Sequence, residues 1–144
     1  MAGIVVGIDG SDGSREALRF AASEATLRNE HLRVVSAWHV PTALYAGAGS
    51  GFVTPVEEDD LSSAARQAVE AELAEVLGAD ANVEVVMREG NAAHVLIEES
   101  QSATMLVVGS RGHGGFTGLL IGSVGQQCAA HARCPVVIVH GAEG

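Results

Sequence analysis

Residues 104–127 read TMLVVGSRGHGGFTGLLIGSVGQQ, and this stretch contains the clearest pattern of the sequence. It begins with an apolar run at 104–109, which is typical of a strand that is buried on both faces of a parallel sheet. A glycine-rich stretch follows the run. A helix is then predicted from about 123 to 132, where Cys134 and Pro135 end it. The stretch therefore predicts a buried strand, a glycine-rich loop and a helix in succession.

The alternation of strand and helix continues in both directions along the chain. Four further strands are predicted, at 3–9, 32–38, 82–87 and 136–140. Three further helices are predicted, at 15–29, at 58–77 and from an N-cap at Asn91 to about residue 101. In the helix at 58–77, apolar residues form one stripe and acids are predicted to fill the other face. An unpatterned stretch at 39–57 is predicted to be a long loop.

This order of elements predicts the fold class. Alternating strands and helices with continuous apolar strands indicate an α/β fold, in which helices cover both faces of a parallel sheet. A length of 144 residues suits one core, so residues 1–144 are predicted to form a single domain. No apolar run approaches the length of a membrane span, and the N-terminus lacks the basic region of a signal peptide. The expected location is the cytoplasm.

Charge and composition exclude several functions. The formal net charge is −10, and the chain has eight arginines and no lysine, so nucleic acids and anionic membranes are poor partners. A phosphate-binding P-loop and Schiff-base chemistry both need a lysine, so both are excluded. A bound phosphate must therefore rely on backbone N–H groups, hydroxyls, arginine or a metal ion. Cys128 and Cys134 match neither a CxxC pair nor metal-ligand spacing. They are predicted to be small buried hydrophobic residues, with a redox role as the lesser alternative.

Two strand ends carry unusual loops. Asp9 ends the first strand and Gly109 ends the fourth, and ligands of open α/β sheets bind where such carboxyl ends meet at a reversal of strand order. Glycines let a backbone approach an anion closely, and a helix that begins at Ser123 would direct free N–H groups at it. The alternative is an ordinary turn capped by Asp9 or Asp12, and a glycine-rich surface loop before a helix capped by Ser123.

The spacing of the glycines carries a resemblance to a known family. Gly109-x2-Gly112-x9-Gly122-Ser123 resembles the ATP-binding motif of the universal stress protein family. The stretches IVVGIDGSDGS, LRVVSAWHVP and CPVVIV extend the resemblance over nearly the whole chain. It implies a Rossmann-like fold with a five-stranded sheet in the order 3-2-1-4-5, and binding of ATP, usually with a divalent cation.

The resemblance also implies a role for individual residues. Asp9 would contact the ribose or the metal region, a backbone group at Ala37 would contact adenine, and Gly109 would lie near the ribose. The phosphates would be held by Gly112, Gly122, Ser123 and the N–H of Val124. A carboxylate near phosphates repels them unless a cation intervenes, so Mg²⁺ is expected to matter. Gly125 departs from the family pattern, which often has Ser or Thr there, and a possible phosphate hydroxyl is lost.

The expected function is that of an ATP-binding module for stress response or signalling. One alternative is a slow ATP hydrolase or an autophosphorylating enzyme, modified on Ser110 or Ser123. Another is a dimeric interaction module that binds no nucleotide. No residue is assigned to catalysis, because no general base can be named. Family members commonly dimerise through the last strand, so the resemblance implies a homodimer through Val136 to Val139, an exposed sheet edge.

Overall fold

The computed structural model describes residues 3–38, 58–78, 83–110 and 121–140. The strands are β1 (Gly3–Gly7), β2 (His31–Trp38), β3 (Glu84–Glu89), β4 (Met105–Gly109) and β5 (Val136–Val139). The helices are α1 (Asp12–Arg28), α2 (Glu58–Leu77), α3 (Ala92–Glu99) and α4 (Ser123–His131). The predicted order of strands and helices is confirmed. Within the described ranges, no helix combines the length and apolar composition that crossing a bilayer would need.

The strands form one sheet in the order β3-β2-β1-β4-β5, and every pairing is parallel. β1 is central, because Val6 pairs with Val34 of β2 on one side and with Val107 of β4 on the other. The strand order that the resemblance implied is thus confirmed. Strand order reverses between β1 and β4, so their carboxyl ends form the edge where open α/β sheets bind ligands.

Two apolar layers enclose the sheet, because successive strand residues point to opposite faces. In β1, Ile4 and Val6 face a core shared with α1 and α2, whereas Val5 faces the opposite core. In β4, Leu106 joins Val5 and packs with Val95 of α3 and with Cys128 and Val124 of α4. Helices therefore cover both faces of the sheet, as predicted.

Several boundaries differ from the prediction. α1 begins at Asp12 rather than at 15, because Ser11 caps it, and it ends at the left-handed residue Asn29. β3 covers Glu84–Glu89 rather than 82–87, because pairing with β2 continues to the Trp38–Glu89 pair. β1 ends at Gly7, two residues early, because Asp9 already bonds into the next turn. The bounds predicted for α2, 58–77, are those of the structure.

Candidate functional site

The end of β4 and the start of α1 are in direct backbone contact. A Cβ atom added to Gly109 would lie 2.8 Å from both the carbonyl carbon and the carbonyl oxygen of Gly13. Such a distance is far below van der Waals contact, so no larger residue fits unless the backbone moves. The first glycine of the motif therefore has a packing role, since it lets the first turn of α1 lie on the end of β4.

The start of α4 completes the same cluster. Gly125 is buried, and a Cβ atom there would lie 3.8 Å from the carbonyl oxygen of Gly109 and 2.9 Å from Cγ2 of Ile121. The first turns of α1 and α4 thus meet at the end of β4. A side chain at position 125 would point into packing with Ile121 and Ile138. That the glycine here loses a possible phosphate hydroxyl stays a prediction.

The start of α4 has hydrogen-bond donors that find no partner among the described residues. Its N-cap is Gly122, in an extended conformation (φ −75°, ψ 175°), and glycine has no side chain to accept a bond from the first turn. The first bond along the helix runs from the Gln126 N–H to the Gly122 carbonyl at 3.0 Å. The N–H groups of Ser123, Val124 and Gly125 therefore have no partner within the helix. The prediction that α4 begins at Ser123 is confirmed, but the alternative of Ser123 as its cap is wrong.

The open start of α4 is held in place by the neighbouring strands. The Gly122 N–H donates to the Ser110 carbonyl, and the Ser110 N–H donates to the Val139 carbonyl at 2.8 Å. Ser110 follows β4 directly and is only 4% exposed, whereas Ser123 is exposed. Of the two serines named as alternative autophosphorylation sites, Ser110 is therefore buried and Ser123 exposed, and modification of either stays a prediction.

Asp9 lies in the turn between β1 and α1. Its Oδ1 accepts a bond from the Ser11 N–H at 2.9 Å and another from the Ser11 hydroxyl at 2.5 Å. Ser11 in turn caps α1, because its Oγ accepts from the Ser14 N–H at 3.2 Å. The alternative, in which Asp9 or Asp12 caps the helix, is therefore wrong. Asp9 instead orients Ser11, which is the cap, and the Asp9 carboxylate remains exposed.

A buried acid beside this turn was missed by the sequence prediction. Glu72 of α2 is 5% exposed, and its Oε1 accepts a bond from the Ser14 hydroxyl at 3.0 Å. Burial is the main cause that raises the pKa of this carboxyl above its usual range. The expectation that the acids of α2 all lie on its outer face is thus wrong at this position. Spacing could have indicated it, because position 72 is about one turn from Val69 and Val76 and lies within the apolar stripe.

The remaining predicted site residues divide into two groups. Ala37 is half-buried near the carboxyl end of β2, beside β1, so it lies on the same edge of the sheet as Asp9. Gly112 lies outside the described residues, as do Arg111 and His113 of the same loop. The structure therefore brings Gly109, Gly122, Ser123, Val124 and Asp9 to one edge, with Ala37 one strand further along.

The metal-binding and thiol chemistry of the described residues is limited. Among them, no group of three or more His, Cys, Asp or Glu side chains could hold a metal ion. Cys128 is fully buried, as predicted, and burial raises its pKa to about 11. Cys134 is half-buried, and burial raises its pKa as well. Both shifts oppose formation of the reactive thiolate at neutral pH.

The strand order and the edge between β1 and β4 define a doubly wound, Rossmann-like α/β protein. Comparison with known proteins narrows this class. The model of the universal stress protein family matches residues 2–140, and the chain belongs to that family.

Among its relatives, universal stress protein Rv2623 of Mycobacterium tuberculosis is 36% identical over 139 residues, which cover 94% of this chain and 44% of the relative. Universal stress protein Mb2028c of Mycobacterium bovis is 38% identical over 142 residues, with coverage of 94% and 44%. The chain thus spans less than half the length of these relatives.

Solved structures agree with this assignment. A universal stress protein in complex with cAMP is 28% identical, with a TM-score of 0.62 and coverage of 98% of both chains. UspA from Lactobacillus plantarum has a TM-score of 0.72 at 18% identity, with coverage of 96% of this chain and 97% of its own, and supports the fold alone.

Proposed function

We propose that this chain binds an adenine nucleotide, ATP with Mg²⁺, and acts as a nucleotide-dependent module in stress response or signalling. The observation that carries the proposal is the start of α4, whose first N–H groups have no partner in the helix or among the other described residues and are held against the end of β4. A helix start of this kind favours an anion through both its N–H groups and the helix dipole. A relative at 28% identity is a universal stress protein that was solved with cAMP, which supports an adenine nucleotide as the ligand.

Each residue of the proposed site has a distinct role. The N–H groups of Ser123 and Val124 would donate to the phosphates, and the extended backbone of Gly122 would leave room for them. The backbone near Ala37 would contact adenine, and Gly112 stays a predicted phosphate contact. This arrangement needs no lysine, which the chain does not have.

The role of Asp9 depends on the charge of the ligand. Its exposed carboxylate would repel phosphates directly, so it would instead accept bonds from ribose hydroxyls or face the phosphates across Mg²⁺. Bound Mg²⁺ would supply the positive charge that offsets this repulsion. The carboxylate is oriented for either role by its two bonds from Ser11.

Calorimetry tests the proposal directly. The purified protein is titrated with Mg-ATP, with ATP in excess EDTA, with AMP and with cAMP, and the nucleotide that co-purifies is identified by mass spectrometry. We expect Mg-ATP to bind with a Kd of about 1–100 μM, which corresponds to about 5–8 kcal/mol. We expect Asp9→Asn to reduce the difference between the Mg²⁺ and EDTA titrations. No heat with any of the four ligands, and no co-purifying nucleotide, would contradict the proposal.

We also propose that two copies of the chain pair through β5. This strand is at the edge of the sheet, and Val136 to Val139 are all half-exposed. An apolar edge strand has unpaired backbone groups that a second chain can satisfy. Sedimentation equilibrium tests this, since a monomer at micromolar concentration contradicts it.

A further inference from the structure

Glu72 occupies a position where a carboxylate opposes stability. It lies on α2 between the core residues Val69 and Leu73 and is 5% exposed. A buried carboxylate loses its hydration, and one hydrogen bond from a neutral hydroxyl offsets only part of that loss. An apolar residue of similar size would suit the interface between α1 and α2 better. The presence of an acid here therefore needs a reason other than the stability of the fold.

A chain of hydrogen bonds connects Glu72 to Asp9. The Ser14 hydroxyl donates to Glu72 Oε1 at 3.0 Å, and the Ser14 N–H donates to Ser11 Oγ at 3.2 Å. The Ser11 hydroxyl then donates to Asp9 Oδ1 at 2.5 Å. Two serines thus link a buried residue of α2 to the exposed carboxylate at the end of β1.

Ser14 has one hydroxyl proton and two acceptors for it. Glu72 Oε1 is 3.0 Å away, and the Ser11 carbonyl oxygen is 3.1 Å away. That carbonyl already accepts the first helical bond of α1, from the Arg15 N–H at 3.2 Å. An ionised Glu72 can only accept a hydrogen bond, so the hydroxyl proton of Ser14 points towards it. A protonated Glu72 can donate to Ser14 Oγ, and the Ser14 proton then turns to the Ser11 carbonyl.

We propose that Glu72 is a positioning residue for the turn between β1 and α1, and that its ionisation adjusts how the turn presents Asp9 to a nucleotide. The part that concerns binding rests on the proposed function, whereas the part that concerns the turn does not. Glu72 itself touches no ligand, because it is buried behind Ser14. It acts on the site through Ser14 and Ser11.

The charges around Glu72 set the direction of its pH dependence. Burial raises its pKa most, the Ser14 bond and Arg15 of α1 lower it, and Asp9 and Glu75 raise it, with a net upward shift. A raised carboxyl pKa contributes stability below the pKa of the unfolded chain and loses it as pH rises through the folded pKa. Ionised Glu72 is therefore destabilising at neutral pH. Its negative charge also disfavours an anionic ligand, so protonation should strengthen binding.

The first test needs no nucleotide. The amide resonances of Ser11 and Ser14 are followed by NMR from about pH 4 to about pH 8 in the ligand-free protein. We expect the Ser14 amide of the wild type to titrate with the raised pKa of Glu72, and this transition to disappear in Glu72→Gln. The matched control is Glu75→Gln, since Glu75 is an exposed acid on the same helix whose side chain is 62% exposed. The control should keep the transition.

The second test measures Mg-ATP binding by calorimetry and stability by urea unfolding. Glu72→Gln keeps an acceptor for Ser14, so it should bind at least as tightly as the wild type. Glu72→Leu loses the acceptor together with the charge, and we expect it to bind about fivefold more weakly than Glu72→Gln, the equivalent of one hydrogen bond, although its stability at neutral pH is equal to that of the wild type or higher. The ratio of Glu72→Gln affinity to wild-type affinity should rise from about one to about threefold as pH rises through the pKa of Glu72. This ratio cancels the titration of ATP itself.

Different results overturn different parts. A Ser14 transition that persists unchanged in Glu72→Gln overturns the role of Glu72 in the turn. Equal affinity in Glu72→Leu and Glu72→Gln overturns the role of Glu72 in binding, and if Glu72→Leu does not fold, Ser14→Ala replaces it with the same expected loss. If the wild type binds no nucleotide, the proposed function fails together with the role in binding, while the NMR titration still decides the role in the turn.

Discussion

Two helices begin at the same edge of the sheet, and their starts are built in opposite ways. The first turn of α1 is closed by side chains, because Ser11 caps it and Asp9 holds Ser11. The first turn of α4 follows the N-cap Gly122, and no side chain of the described residues caps its donors. A capping side chain stabilises a helix start by a few tenths of a kcal/mol relative to glycine, so the glycine at the start of α4 has a small cost in stability. The difference indicates two separate roles at the proposed nucleotide site. The start of α1 provides the oriented carboxylate of Asp9, and the start of α4 provides backbone N–H donors.

Both starts lie against the end of β4, and α1 lies there because position 109 has no side chain. In Gly109→Ala, the new Cβ would lie 2.8 Å from the backbone of Gly13, and neither backbone can yield without a shift of a strand or a helix. We expect the free energy of unfolding to fall by about 3 kcal/mol, as in other overpacked cores. Urea unfolding measures this loss.

A second glycine in the same cluster provides the control. In Gly125→Ala, the Cβ would meet the Ile121 side chain at 2.9 Å, and a side chain can rotate away. Alanine also favours the helix by about 0.5–1 kcal/mol over glycine, so we expect little net change. Equal losses in the two variants would contradict the backbone contact at Gly109.

The next largest effect is expected when a capping side chain is added to the start of α4. Gly122→Asp gives α4 a capping carboxylate, which would accept from the open N–H groups and repel phosphates. We expect the stability to rise by a few tenths of a kcal/mol, roughly the difference between a glycine cap and an aspartate cap, and the affinity for Mg-ATP to fall at least about tenfold. Gly122→Ser separates the two effects, since it caps without charge and should weaken binding less. Calorimetry and urea unfolding of the same samples give both quantities, and unchanged affinity in Gly122→Asp would place the phosphates elsewhere.

The reverse change removes the cap of α1. Ser11→Ala deletes the acceptor for the Ser14 N–H and the hydroxyl that donates to Asp9, so we expect a loss of stability of about 1 kcal/mol. Affinity should fall by a smaller factor than in Gly122→Asp, because the open donors of α4 are untouched. An affinity loss as large as that of Gly122→Asp would contradict the proposal that the N–H groups of α4, rather than the start of α1, bind the phosphates.

The sequence predicted the fold well because the evidence for it is spread along the whole chain. Each strand carries its own apolar run, and the bounds of α2 followed from its stripe. The details of the site were harder to predict, because several adjacent residues were each suited to cap the same helix. In DGSDGS at 9–14, Asp9, Ser11 and Asp12 are all residue types that cap helices, and the structure shows that Ser11 takes this role.

The burial of Glu72 and the packing role of Gly109 were not predictable in the same way. Each depends on a residue distant in sequence, Ser14 of α1 for the acid and Gly13 for the glycine. A helical pattern can place position 72 within the apolar stripe of α2, but it does not show that the Ser14 hydroxyl of α1 lies opposite this position. A motif glycine next to a proposed ligand is readily assigned to the ligand, although here its nearest neighbour is the protein itself.

A third helix start sharpens the comparison with the smallest change. α3 is capped by Asn91, whose Oδ1 accepts from the His94 N–H at 3.0 Å, and it follows β3 at the outer side of the sheet. Asn91→Gly uncaps α3 in the way that Gly122 leaves α4 uncapped. We expect a loss of only a few tenths of a kcal/mol, roughly the difference between these caps, and no change in affinity for Mg-ATP. If this variant gained a second nucleotide site in calorimetry, an open helix start alone would suffice for binding, and the junction of β4, α1 and α4 would not be what selects the ligand.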